Sequence, residues 1–162
     1  MEFGLQSWAV SDVDFIAHAE RLGYDYCWAS DSPMLRSSPW AALALIAQGT
    51  RTMRLGPGVA VPGLRSAPDM ANAIATINQL APGRVFLGLG TGNTAMRTLG
   101  QKPMRLKPFA EYIRVVRALL SGEEVRYSQA AESHVIRFQN AKRGVYDIDH
   151  EVPIHVGGFG PK

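Results

Sequence analysis

Short apolar runs and longer amphipathic segments alternate along the chain. The apolar runs carry few charges, which is typical of strands buried in a parallel sheet. They lie at residues 3–6, 24–29, 55–61 and 85–89. In the segments between them, apolar side chains recur every three or four residues, which predicts helices with one buried face. The clearest stripe is Met70, Ile74, Ile77 and Leu80.

Capping residues mark where these helices begin and end. Ser11 and Ser66 precede the first and third predicted helices as N-caps, because a serine oxygen can accept from a free backbone N–H of the first turn. Ser38-Pro39 opens the second, since proline favours the first turn of a helix. A fourth stripe precedes the helix stop Ser121-Gly122. Its apolar positions are Phe109, Ile113, Val116 and Leu120.

The last part of the chain departs from this alternation. Two short β-type runs, at 125–127 and 134–138, predict an antiparallel hairpin beside the main sheet. A charged loop over 140–151 then leads to a fifth core strand at 153–156.

Strands that alternate with helices are parallel and joined by right-handed crossovers, so the fold is α/β, either an open doubly wound sheet or a (β/α) barrel. A closed eight-stranded barrel takes about 250 residues. We therefore expect a partial barrel of about five parallel strands with an inserted β-hairpin. An unpaired sheet edge favours association, so we expect a homo-oligomer or a missing C-terminal half.

Composition excludes several classes of protein. With 46% hydrophobic and 19% charged residues the chain is typical of soluble globular domains. A net charge of +3 without a clustered basic face argues against nucleic acid as a partner. The longest apolar stretches fall short of the roughly 20 residues of a membrane helix, and the N-terminus lacks a secretory signal, so we expect a cytoplasmic location and no membrane partner.

Metal and thiol chemistry are also not expected. Cys27 is the single cysteine, which excludes an internal disulfide and a CxxC motif. The four histidines are scattered and lack the spacing that grips zinc from a helix.

Candidate chemistry is sought just after each strand, because ligands of parallel α/β proteins bind at the carboxyl ends of strands. Asp31 follows the second strand, where its carboxylate could contact a bound ring or a substrate; a simple turn is the alternative. Val59, Ala60 and Val61 follow the third, where small residues would let a flat ring approach the backbone; simple packing is the alternative.

Two glycine-rich loops follow the fourth and fifth strands. In the first, Gly88 to Thr94, glycines let backbone N–H groups approach an anion. Its members Thr91, Gly92, Asn93 and Thr94 could bind a cofactor. The spacing is not that of a Rossmann or P-loop motif. The second loop is typical of a phosphate site. It consists of Gly157, Gly158, Phe159 and Gly160.

The run RVFLGLGTGNTAMRTLG at 84–100 resembles the luciferase-like flavin- and F420-dependent oxidoreductases, closest to the branch around the methylenetetrahydromethanopterin reductases. Residues 22–32, 55–59 and 152–162 resemble the second, third and fifth strands of the same family. The similarity covers nearly all of the chain.

The resemblance implies that residues 1–162 are the N-terminal portion of a single (β/α)8 barrel. It implies coenzyme F420 or FMN as cofactor, with Thr91, Gly92 and Asn93 in contact with it and its phosphate near 157–160. A bulge at 60–62 would back the ring, in many relatives through a non-prolyl cis peptide. Many relatives have Asp-His after the second strand; here Asp31-Ser32 stands, so no histidine role is carried over and Asp31 is the candidate catalytic contact.

The function implied is hydride transfer or oxygen activation on a small organic substrate, with the cofactor supplying the redox chemistry. Two alternatives remain open. One is a non-catalytic flavin-binding relative, and the other is a self-associating half-barrel that binds no cofactor.

Overall fold

The chain folds into a curved layer of parallel strands with helices on its outer face. The computed structural model describes residues 1–129, 132–140 and 143–158. Strands β1 (Gly4–Ser7), β2 (Tyr26–Ala29) and β3 (Arg54–Pro57) pair in sequence order. Two isolated parallel bridges, Leu55–Val85 and Ala60–Leu89, connect the segments around β3 and β4 (Leu87–Leu89). A later strand, β7 (Ile154–Val156), pairs with β4.

The helices are α1 (Val13–Arg21), α2 (Pro39–Gly49), α3 (Ala67–Leu80), α4 (Asn93–Thr98) and α5 (Leu106–Leu120). Their apolar stripes and the outward side chains of the strands form one core, whose burial drives the folding of the layer. Its largest fully buried members include Ile16, Leu43, Ile46, Leu55, Met70, Ile74, Leu87 and Val116. The prediction of a partial barrel of about five parallel strands is confirmed.

The predicted hairpin is also present. β5 (Val125–Gln129) and β6 (Glu132–Ile136) pair antiparallel, with Val125 opposite Ile136, and β5 packs against α5.

Within the described residues, no helix combines the length and the apolar character that crossing a membrane requires.

Two local predictions were wrong, and one helix was missed. Ser11 does not cap α1, because a 3-10 turn over Val10–Asp12 comes first and the carboxylate of Asp12 accepts from the N–H groups of Trp8 and Ala9 at 2.8 and 3.0 Å. The third strand ends at Pro57, not at residue 61. The helix α4 inside the glycine-rich region was not predicted. The cap at Ser66 is confirmed, since its Oγ accepts from Asp69 N at 3.3 Å.

The segment after β3 carries one extra residue relative to β4. Five residue steps separate Leu55 from Ala60, whereas four separate their partners Val85 and Leu89. The excess forms a bulge, which contains a non-prolyl cis peptide between Gly58 and Val59. The bulge therefore begins before the 60–62 segment that the family resemblance indicated.

A carboxylate near the amino end of β3 connects α1 to the segment between α2 and β3. Glu20 Oε1 accepts from the backbone N–H groups of Arg51, Thr52 and Met53 at 3.0, 2.7 and 2.7 Å. Partial burial opposes ionisation and is the largest single influence, but these hydrogen bonds together hold the pKa of Glu20 below its ordinary 4.5.

We expect Glu20→Ala to lower the free energy of unfolding by about 1–3 kcal/mol, because three backbone donors lose a charged acceptor. Since the folded-state pKa is lowered, the stabilising contribution is fully present above pH 4.5 and is lost as the pH falls through the folded-state value. Urea denaturation of both proteins at pH 7 and at pH 3 measures this. A difference that stays constant over that range would contradict the assignment.

Candidate functional site

The carboxyl ends of β3, β4 and β7 meet at one rim of the layer. Leu89 lies opposite Val156, and Gly157 N donates to Leu89 O at 2.8 Å. On the other side, Gly90 N donates to Ala60 O at 3.1 Å. The bulge after β3, the loop after β4 and the start of the loop after β7 are therefore neighbours, as expected for the ends of parallel strands.

Val59 lies at the centre of this rim, surrounded by three glycines. A β-carbon built on Gly90 would lie 2.6 Å from Val59 Cγ2, closer than real side chains approach. β-carbons built on Gly88 and Gly157 would each lie 3.5 Å from Val59 Cγ1. Val59 is only half-buried, so part of its isopropyl group is exposed between these glycines. We call the set Val59, Gly88, Gly90, Gly92 and Gly157 the glycine rim.

Gly92 interlocks with Val61 at the edge of the rim. Its φ of +88° lies in the left-handed region, and a β-carbon there would lie 2.3 Å from Val61 Cγ1. Met104 N donates to Thr91 O at 2.9 Å and fixes the start of the loop. Asn93 and Thr94 are exposed, so their polar side chains are accessible beside the rim.

Asp31 lies at the end of β2, but its carboxylate is engaged within the protein. It is 4% exposed. Arg65 donates to both carboxylate oxygens, at 2.5 and 3.3 Å, and Val61 N donates to Oδ2 at 3.0 Å. Contact between Asp31 and a ring or substrate stays a prediction.

Only part of the second glycine loop can be placed. Gly157 and Gly158 are exposed at the rim, and no described atom would lie within 4 Å of a β-carbon built on Gly158. Phe159 and Gly160 lie outside the described residues. Among the described residues, therefore, nothing obstructs the position beside Gly158.

An aromatic layer on the inner face of the sheet was missed by the sequence reasoning. Trp28 and Phe86 lie with ring centroids 4.5 Å apart, and Phe86 stacks on His155 at 5.3 Å with an interplanar angle of 12°. A β-carbon on Gly58 would lie 2.8 Å from Trp28 Cβ, so the layer reaches the bulge. The two-residue alternation of β2, which turns Cys27 and Ala29 toward the helices, could have indicated this inner face.

Cys27 is fully buried on the helix side. Burial, and to a lesser extent the negative charge of Asp12, raises the pKa of its thiol to about 12, so it is not a nucleophile at neutral pH. Across the described ranges, no three His, Cys, Asp or Glu side chains converge as metal ligands.

A large cavity lies elsewhere in the fold. It measures about 910 Å³ and lies between the β5–β6 hairpin and helices α3 and α5. Its apolar lining includes Leu119, Tyr127, Phe138 and Tyr146 and shares no residue with the glycine rim. Volume alone therefore does not point to the site that the strand ends indicate.

The sequence profile of the family described as luciferase-like monooxygenase matches residues 11–162. The chain belongs to this family. Two of its relatives support the placement. The 5,10-methylenetetrahydromethanopterin reductase of Archaeoglobus fulgidus is 35% identical over 100% of this chain and 48% of its own length. The F420-dependent hydroxymycolic acid dehydrogenase of Mycobacterium tuberculosis is 36% identical over 91% of this chain and 44% of its own.

Solved structures of luciferase-like proteins share the fold. The coenzyme F420 dependent tetrahydromethanopterin reductase from Methanopyrus kandleri superposes with a TM-score of 0.73 at 24% identity, over 98% of this chain and 50% of that one. A type II Baeyer–Villiger monooxygenase from Pseudomonas putida in complex with FMN gives 0.77 at 18% identity, over 99% and 52%. At these identities the likeness shows the fold alone. The chain spans about half the length of the curated relatives it matches.

Coenzyme F420 is named for relatives of this chain, and FMN is named for a solved structure that shares its fold. Gly88, Gly90 and Gly92 are buried, and a β-carbon at Gly90 or Gly92 would collide with Val59 or Val61, so glycine is what lets the loop after β4 pack this closely against the segment after β3. The N–H groups of Gly90 and Gly157 already donate to Ala60 O and Leu89 O, so they are not free to bind a phosphate.

Proposed function

We propose that this chain is part of an F420- or FMN-dependent oxidoreductase, which transfers hydride or activates oxygen on a small organic substrate. Residues 1–162 would form the N-terminal portion of a single (β/α)8 barrel. The observation that carries the proposal is the glycine rim, where the ends of β3, β4 and β7 meet around a half-buried Val59. Family membership supports it.

In this proposal Val59, Ala60 and Val61 support one face of the ring. Thr91, Gly92, Asn93 and Thr94 border its edge and offer polar groups, and Gly157 and Gly158 approach the phosphate. When bound, the cofactor supplies the two-electron redox chemistry. The residues of this chain hold the ring at the strand ends and shield one of its faces from water, which are the contributions that a protein makes to such reactions.

Coenzyme F420 is favoured as the first cofactor to test. The relatives from Mycobacterium tuberculosis and from Microbacterium testaceum, 36% and 34% identical, are named as F420-dependent dehydrogenases. FMN is named for a solved structure at 18% identity, and a likeness at that level shows the fold but not the cofactor. The substrate, a homo-oligomeric state and a cytoplasmic location stay predictions.

Titration of the full-length protein with F420 and with FMN, followed by the change in cofactor fluorescence, tests the proposal. We expect saturable binding of one of the two with a stoichiometry of one per chain. If neither binds, the proposal is wrong and the self-associating half-barrel is favoured. If the cofactor binds but no turnover occurs with trial alcohols and reduced pterins, the non-catalytic relative is favoured.

A further inference from the structure

The buried ion pair between Asp31 and Arg65 lies directly behind the glycine rim. Their side chains are 1% and 15% exposed. An ion pair withdrawn from water is retained only where its hydrogen bonds are well formed, because desolvation opposes it. Here the planar guanidinium of Arg65 contacts both oxygens of Asp31.

The pair joins four separate parts of the fold. Asp31 follows β2, and Arg65 follows a 3-10 turn over Pro62–Leu64. The Arg65 guanidinium lies 5.2 Å from the ring centroid of Trp40 on α2. The hydroxyl of Tyr112 on α5 donates to Arg65 O at 3.2 Å. Arg65 is therefore held from two helices while it holds Asp31.

The decisive contact runs from this pair into the rim. Val61 N donates to Asp31 Oδ2 at 3.0 Å, and the side chain of Val61 occupies the space that a β-carbon on Gly92 would need. The carboxylate thus fixes the backbone of the bulge two residues beyond Val59. Through Val61 it also fixes the distance between the bulge and the loop that carries Gly92.

We propose that Asp31 and Arg65 are positioning residues, which act through Val61 N–H to hold the bulge after β3 at the spacing from Gly92 that a planar cofactor requires. The inference rests on the proposed function. It gives Asp31 a role other than direct contact with ring or substrate, because every oxygen of its carboxylate already has a donor within the protein. A substrate contact would require one of these bonds to break.

Two variants grade the effect. Asp31→Ala removes the acceptor for Val61 N–H and leaves Arg65 without its partner. Asp31→Asn retains one oxygen but turns an amide NH2 toward the guanidinium. We expect the dissociation constant of the cofactor to rise at least about tenfold in Asp31→Ala and less in Asp31→Asn, because hydrogen bonds to charged groups are among the stronger ones.

Glu20→Ala is the matched control. Like the Asp31 variants, it changes a carboxylate that accepts from the backbone. The three backbone N–H groups that lose their acceptor here lie at the opposite end of the strands. We expect it to lower stability and leave the cofactor dissociation constant within about twofold of wild type. If Asp31 has only a structural role, Asp31→Ala and Asp31→Asn are expected to weaken cofactor binding only in proportion to their loss of stability.

Hydrogen exchange of the cofactor-free protein provides a readout independent of binding. Asp31→Ala and Asp31→Asn are expected to accelerate exchange of the amides at 59–61, and Glu20→Ala those at 51–53. If wild type binds neither F420 nor FMN, the proposed function fails, while the exchange pattern still decides whether Asp31 holds the bulge. Unchanged exchange at 59–61, or wild-type affinity in both Asp31 variants, overturns the inference. If Asp31→Ala does not fold, Asp31→Asn decides.

Discussion

Replacing Gly157 by aspartate is expected to weaken binding of F420 or FMN by about 10- to 100-fold. Gly157 is exposed at the end of β7 and is the first residue of the proposed phosphate site. A carboxylate there would face a phosphate that carries the same sign of charge. Like charges a few ångströms apart near a protein surface repel by about 1–3 kcal/mol, which corresponds to that loss of affinity.

Gly157→Ala is the control, because a β-carbon there would make ordinary contacts, 3.5 Å from Val59 Cγ1 and 3.6 Å from Leu89 O. It is expected to bind cofactor as wild type does. Riboflavin and the F420 chromophore without its phosphate separate charge from shape. The aspartate should leave their affinities unchanged, and an equal loss for phosphorylated and unphosphorylated rings would show that the phosphate lies elsewhere.

Replacing Gly88 by alanine is expected to lower the free energy of unfolding by about 3 kcal/mol. The added β-carbon would lie 2.3 Å from the carbonyl oxygen of Pro57, a backbone atom that cannot rotate away. The clash is relieved only if β3 and β4 separate, which also breaks the bond from Ala60 N to Gly88 O. Such overpacking is at the upper end of the cost for small-to-large substitutions.

Gly100→Ala provides the comparison. Gly100 has a φ of +69°, but no described atom lies within 4 Å of the position of its β-carbon. Its replacement therefore costs only the left-handed backbone conformation, about 1 kcal/mol. Urea denaturation of both variants measures the difference. If Gly88→Ala loses no more free energy of unfolding than Gly100→Ala, β3 and β4 can separate without a cost in stability and the prediction is wrong.

The order of the strands and of the four longer helices was predictable because each of these elements carries its own periodicity. The grouping of the glycine loops at one rim followed as well, since parallel strands end on the same side. Those two inferences depend on local pattern and on a general rule of topology. They required no knowledge of which side chains meet.

Contacts between distant residues were not predictable in this way. Arg65 lies 34 residues from Asp31, and no local pattern marks it as the partner of that carboxylate. The pairing of Phe86 with Trp28 and His155 depends on the register between strands. Asp12, not Ser11, lies at the N-cap position of α1, because the chain makes a short turn before this helix, which apolar spacing does not report.

The single-residue excess after β3 also limits how the length of this chain can vary. Removing one residue between Leu55 and Ala60 would restore an even ladder with β4 and turn the Val59 side chain to the other surface of the sheet. An insertion there would shift it in the same way. Variation in length is therefore expected to be tolerated in surface connections such as that between α4 and α5, whereas this segment keeps a fixed number of residues.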